Sequence, residues 1–197
     1  MSLIRCRLIA SDGELLPPLP LRSCELDQTI FSHTSLATFM NPTTLPSLTD
    51  LSMFSVSPSL SPAAFNELAP RLLRLKIRHY DAEHILGRLG HCTALEEVQA
   101  PLSCINSRVL AALKSTKLNT LRLILDSTIR EEDHGMRSLC DELKSSGRGT
   151  VRRIIMLTVL RKVSEGTAAF KILQEECTRL EIELSNEKLD DNWCSGG

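Results

Sequence analysis

The sequence predicts an α/β chain built as a solenoid, with a curved parallel sheet on the concave side and short helices on the convex side. Three observations point there. The phrase Leu95-Glu96-Glu97-Val98-Gln99-Ala100 returns 23 residues later as Leu118-Asn119-Thr120-Leu121-Arg122-Leu123, with an apolar helical stretch between them. Aligning the central apolar residue of each such phrase gives Leu19, Leu51, Leu75, Val98, Leu121, Ile154 and Leu180, at spacings of 32, 24, 23, 23, 33 and 26. Periods in the twenties, with one strand and one helix each, mark stacked repeats, because a lone unit cannot cover its own apolar face. Third, the chain lacks a Gly-rich strand-to-helix turn, and only 151–159 reads as a long apolar strand. Both features weigh against a doubly wound α/β sheet, the competing reading for alternating strands and helices.

The elements follow in order. Residues 1–9 read as a short strand closed by the turn Ser11-Asp12-Gly13. Residues 16–21 carry leucines at the repeat spacing, but three prolines remove amide donors, so this stretch is expected as an edge or cap strand. Residues 28–40 form a weak helix, and Leu48-Thr49-Asp50-Leu51-Ser52-Met53 opens the first clear unit. Ser61 then suits a helix N-cap and Pro62 the first helical position, followed by Ala64, Phe65 and Leu68 inward and a stop at Pro70. The strand at 72–77 leads to a helix capped by Asp81 with Ile85, Leu86 and Leu89 on one face. After residues 95–100, a helix from Asn106 or Ser107 turns Val109, Leu110 and Leu113 inward. The strand at 118–125 precedes Met136, Leu139, Cys140 and Leu143, spaced i, i+3, i+4, i+7, the best helical stripe in the chain. Residues 151–159, a helix over 167–177 and a strand at 180–184 complete the pattern. Residues 1–44 are thus an N-terminal cap or irregular first repeat, 45–189 the repeat arc, and 190–197 a polar tail.

Composition bounds the function. With 197 residues the chain can bury a sizeable core, and a net charge of −1 supplies no bulk field for nucleic acid or membrane. Aromatic content of 4% provides few stacking platforms. The seven cysteines form no C-x-x-C pair and several fall on apolar helix faces, which suits reduced thiols in the cytoplasm or nucleus. Charges interrupt the first apolar run and no apolar stretch approaches 18 residues, so neither a signal peptide nor a membrane span is expected.

The repeat phrases resemble the leucine-rich-repeat superfamily, in particular the helix-containing repeats of F-box/leucine-rich-repeat proteins. Pro46-Ser47-Leu48-Thr49-Asp50-Leu51 and Glu176-Cys177-Thr178-Arg179-Leu180 are similar to fungal members of that group. The family's Asn or Cys at the ninth position of the phrase is here Val56, Tyr80, Ser103, Asp126, Val159 and Ser185, which implies an irregular arc. No segment before Leu45 reads as an F-box. The resemblance implies a non-enzymatic, monomeric substrate-recognition arc for a protein partner, in the setting of a cullin-type ubiquitin ligase and without a cofactor.

Strand alternation assigns the recognition face. Residues between the core leucines are Asp50, Ser52 and Phe54; Arg74, Lys76 and Arg78; Glu97 and Gln99; Thr120 and Arg122; Arg153; and Arg179, Glu181 and Glu183. This makes a basic strip, an acidic neighbour and a second acidic strip near the C-terminus. Mixed sign fits a protein partner better than nucleic acid, which wants one continuous basic track. The plainer reading is that Arg74, Lys76 and Arg78 solvate an exposed face and pair with Glu97. His79, His84, His91 and Cys92 lie close in sequence but match no zinc spacing, so no metal is expected. His134, beside Glu131, Glu132 and Asp133, reads as a helix start with acidic residues at the positive end of the dipole. No nucleophile elbow or phosphate loop appears, so no catalytic residues are assigned. Two further readings stand behind this one. A small α/β enzyme would draw on strand-end groups such as Asp126 and His79, and a repeat-type regulator of small GTPases would use an exposed arginine or asparagine at a repeat edge.

Overall fold

The computed structural model describes residues 3–4, 17–27, 36, 38–54, 60–77, 85–114, 116–125, 129–147, 149–158 and 167–188. These contain eight strands: β1 (Leu3–Ile4), β2 (Ser23–Asp27), β3 (Asp50–Phe54), β4 (Arg74–Ile77), β5 (Glu97–Pro101), β6 (Thr120–Leu125), β7 (Arg153–Thr158) and β8 (Glu183–Lys188). They form one sheet in which every pair is parallel and spatial order equals chain order. A doubly wound sheet reverses its strand order at a switch point, and this sheet has no reversal. Among the described residues, four helices can be bounded in the connections: α1 (Pro62–Leu68), α2 (Ser107–Leu113), α3 (Ile129–Ser146) and α4 (Ala168–Arg179). Short 3-10 turns at Ala69–Arg71, Leu89–His91 and Leu102–Cys104 complete other connections.

Register aligns the repeat. Cys24, Leu51, Leu75, Val98, Leu121, Ile154 and Leu184 are successive cross-strand partners, and all but Leu184 are at least nine-tenths buried. The residues two positions on, Leu26, Met53, Ile77, Ala100, Leu123 and Met156, point the same way. Leu48, Leu72, Leu95 and Leu118, just ahead of their strands, are fully buried beneath the connections. Side chains of all four helices join these rows in one continuous core, so the described helices pack on a single face of the sheet. Each fully buried leucine contributes about 1.5–3 kcal/mol relative to exposure.

Backbone polarity is resolved in a repeating way. The carbonyl of Thr49 accepts both Leu73 N–H (2.8 Å) and Arg74 N–H (3.1 Å); the carbonyls of Arg22, Leu73, Glu96 and Asn119 each accept the corresponding pair from the next unit. Three helix starts use the side chain of the residue before the helix. Ser61 Oγ accepts from Ala64 N–H (3.2 Å), Asn106 Oδ1 from Val109 N–H (3.1 Å) and Thr167 Oγ1 from Phe170 N–H (3.2 Å).

The two ends depart from the sequence expectation. Leu19 is not on a strand: residues 17–21 are irregular, and the strand begins at Ser23, so Cys24 takes the central position. Pro17, Pro18 and Pro20 cannot donate to a ladder, and the Leu19 N–H goes instead to the Thr44 carbonyl (2.7 Å). At the other end α4 runs on to Arg179, and Glu181 adopts a left-handed conformation (φ 55°) that turns the chain into β8. Leu184, not Leu180, therefore pairs with Ile154. Helix α3 starts at Ile129, which puts His134 inside the helix instead of at its beginning. The cap expected at Asp81 lies outside the described residues.

Gly135 in α3 has a packing reason that periodicity does not reveal. A Cβ at this position would lie 2.9 Å from Leu102 Cγ, a buried side chain in the turn beneath. Gly135→Ala should therefore lower stability by about 1 kcal/mol, since overpacking costs of roughly 1–3 kcal/mol outweigh a helix-propensity gain of at most ~1 kcal/mol. Urea unfolding measures it; an increase in stability would mean that α3 stands clear of the 102–104 turn.

Candidate functional site

The face opposite the helices is built by strand alternation. Its first row reads Ser23, Asp50, Arg74, Glu97, Thr120, Arg153, Glu183 across successive strands. Its second row reads Glu25, Ser52, Lys76, Gln99, Arg122, Ile155, Ser185. In the third row Phe54, Pro101, Ile124, Leu157 and Glu187 take part. The register thus brings eleven of the expected residues together: Asp50, Ser52, Phe54, Arg74, Lys76, Glu97, Gln99, Thr120, Arg122, Arg153 and Glu183.

Two expected residues do not join them. Arg179 belongs to the last turn of α4, where its guanidinium pairs with Glu176 one turn back and holds that carboxylate below its usual range. Glu181 lies in the turn before β8. The acidic strip expected at the C-terminus is instead Glu183 with Glu187. Arg78, His79, His84 and Asp126 lie outside the described residues.

Ion pairs run between register neighbours. Arg74 pairs with Asp50 on the preceding strand, through Nε and through Nη2 at 3.1 Å, and the carboxylate raises its pKa. The expected partner, Glu97, sits on the following strand and its carboxylate is 3.9 Å from Arg122 Nε. Arg153 grips Glu183 with two bonds of 2.9 and 3.1 Å. Arg122 reaches across β7 to Glu187 on β8, with Nη2 to Oε2 at 2.6 Å. Each pair is part-exposed and contributes about 0–1 kcal/mol, so these contacts order the face more than they stabilise the fold.

A polar cavity of about 220 Å³ opens on this face, lined by Ser23, Glu25, Asp50, Ser52, Arg74, Lys76 and Glu97. Lys76 has no ion pair among the described residues. Its register neighbour Gln99 is only 3% exposed, and its Nε2 has no hydrogen-bond partner. Sequence reasoning missed a further feature. Ile124, Ile155 and Leu157 form a second apolar cluster, each about 1% exposed, separate from the main core. The signal was present in the near-continuous apolar run of 151–159, since alternation sends Ile155 and Leu157 to the face opposite Ile154 and Met156.

No cluster of three or more His, Cys, Asp or Glu side chains that could hold a metal occurs among the described residues. No described helix is long and apolar enough to cross a membrane. Burial pushes the thiols of Cys24, Cys92 and Cys177 up to about 11, 12 and 12, so they are neutral at ordinary pH. No protein-family model matches the chain, and no curated protein matches it.

The raised thiol pKa values fix a pH dependence. A group whose pKa is higher in the folded than in the unfolded chain contributes full stability below the unfolded value and loses it as pH rises through the folded one. Stability should hold up to about pH 9 and then fall towards pH 12, by about 1.4 kcal/mol per pH unit for each such thiol. Urea unfolding of the wild type and of Cys92→Ala across this range tests the point. The variant should show the shallower alkaline slope, and equal slopes would mean that Cys92 is open to solvent.

Proposed function

We propose that the chain is a leucine-rich-repeat-type solenoid acting as a non-enzymatic protein–protein interaction module, with the open face of the sheet receiving the partner. The observation that carries the reading is the separation of faces. One side of a parallel, sequentially ordered sheet buries leucines against helices, and the other aligns Asp50, Arg74, Glu97, Arg153 and Glu183 in one row of alternating charge. Stacked units without a strand-order reversal support the solenoid. Mixed charge supports a protein partner, because complementary patterns of both signs fix register and reject wrong partners. Nucleic acid fits less well, since Arg74, Arg122 and Arg153 are each already held by a carboxylate.

The resemblance of the repeat phrases to F-box/leucine-rich-repeat proteins extends the proposal to substrate recognition in the cytoplasm or nucleus, with a separate F-box as the link to a cullin scaffold. The arc works as a monomer in this reading.

Affinity capture from lysate with mass spectrometry, run on three forms of the tagged chain, tests the proposal. Thr120→Trp sets a bulky ring on the open face between Glu97 and Arg153, and Lys171→Trp sets the same ring on the exposed side of α4. Partners retained by the wild type should be retained by Lys171→Trp and fall about tenfold with Thr120→Trp, equivalent to ~1.4 kcal/mol. A cullin and its adaptor among them would support the ligase setting, and their absence beside another partner would remove it. Equal capture by all three forms would overturn the open-face reading.

A further inference from the structure

Two donors on the open face, Lys76 and the buried Gln99 Nε2, have no acceptor among the described residues. Lys76 has no ion pair among the described residues and borders the 220 Å³ cavity. Gln99 follows in register, buried to 3% exposure with its Nε2 unpartnered, and Arg122 follows Gln99. Adjacent strands lie about 4.8 Å apart, so three donors span roughly 10 Å. One end of this row already holds a carboxylate, because Glu187 crosses from β8 to Arg122 at 2.6 Å. Glu187 is the more exposed partner of that pair, 44% against 25% for Arg122, and it reaches in from two strands away.

Building on the interaction-module reading, we infer that the row Lys76–Gln99–Arg122 binds a carboxylate side chain of the protein partner, and that Glu187 is the chain's own competitor for it. The surrounding charges define the occupant further. Asp50 is neutralised by Arg74, whereas Glu25 and Glu97 stand at the cavity wall, Glu97 also lying 3.9 Å from Arg122 Nε. A run of acidic residues would be repelled by those two carboxylates, while one Asp or Glu between uncharged residues reaches the donors with a single charge beside them. The partner segment is therefore a neutral, extended stretch with a single acidic side chain. Displacing Glu187 replaces one carboxylate at Arg122 by another, so binding frees an acidic arm and keeps the guanidinium paired.

The test uses the isotopically labelled full chain and three capped pentapeptides, Gly-Val-Glu-Val-Gly and its Gln and Lys counterparts, followed by nuclear magnetic resonance at the Gln99 side-chain amide. The Glu peptide should shift that resonance and the Gln and Lys peptides should not. Glu187→Gln should tighten the Glu peptide at least threefold by removing the closer of the two carboxylates at Arg122, and Lys76→Gln should weaken it at least threefold. A response to the Lys peptide, no response to any peptide in either the wild type or Glu187→Gln, or an unchanged affinity in Glu187→Gln would overturn the inference. If peptides fail while Thr120→Trp still abolishes capture, the interaction-module reading survives and the carboxylate site does not. If the Glu peptide binds as expected but no protein is captured through this face, the carboxylate site stands and the wider reading falls.

Discussion

One backbone carbonyl just ahead of each strand from β2 to β6 ties this chain together. The carbonyls of Arg22, Thr49, Leu73, Glu96 and Asn119 each accept two amide hydrogens from the next unit, at 2.8–3.1 Å. A carbonyl has two lone pairs, and here both are used by one neighbour, which fixes where the following strand begins. Everything else depends on that start point, because a slip of one residue would turn every leucine outward and every charge inward. The ladder needs no particular side chain, and only at the Arg22 carbonyl does one join it, Thr49 Oγ1 donating at 3.2 Å. It therefore tolerates Arg, Thr, Leu, Glu and Asn at its accepting positions, and Cys24, Val98 and Ile154 where the pattern otherwise has leucine.

Backbone control explains what could be read from the sequence. From Leu51 to Leu121 the leucine spacing, the caps at Ser61 and Asn106 and the inward stripe of α3 all coincide with the structure, because each has a side-chain signature. The ends could not be read in the same way. Leu19 carries the right residue at a tolerable spacing, yet the prolines around it cannot supply the amides that the ladder requires. Leu180 fails for a different reason: Glu181 in the left-handed region delays the last strand, and nothing in its side chain announces that conformation.

The open face was half legible. Alternation alone assigns which residues share it, but cannot choose between partners equally near in register. Arg74 has Asp50 on one side and Glu97 on the other, and it pairs with Asp50, leaving Glu97 nearest to Arg122. Apolar residues on that face were also hidden, because Ile124, Ile155 and Leu157 look like core in any hydrophobicity pattern. Their burial divides the face in two. The half around Lys76 is a polar cavity, and the half around β7 is an apolar cluster spanned by the Arg122–Glu187 pair. In the proposed role, a face already rich in internal ion pairs would gain discrimination more readily than raw affinity, since each pair would be exchanged for an equivalent contact.

The central claim is that partners meet the sheet face and not the helical one. Lysine footprinting of a captured complex by reductive methylation tests it most directly, because Lys76 lies on the open face and Lys171 on the exposed side of α4. The expected result is that Lys76 loses reactivity when the partner is bound while Lys171 keeps it. Protection of Lys171 with Lys76 still fully reactive would contradict the account.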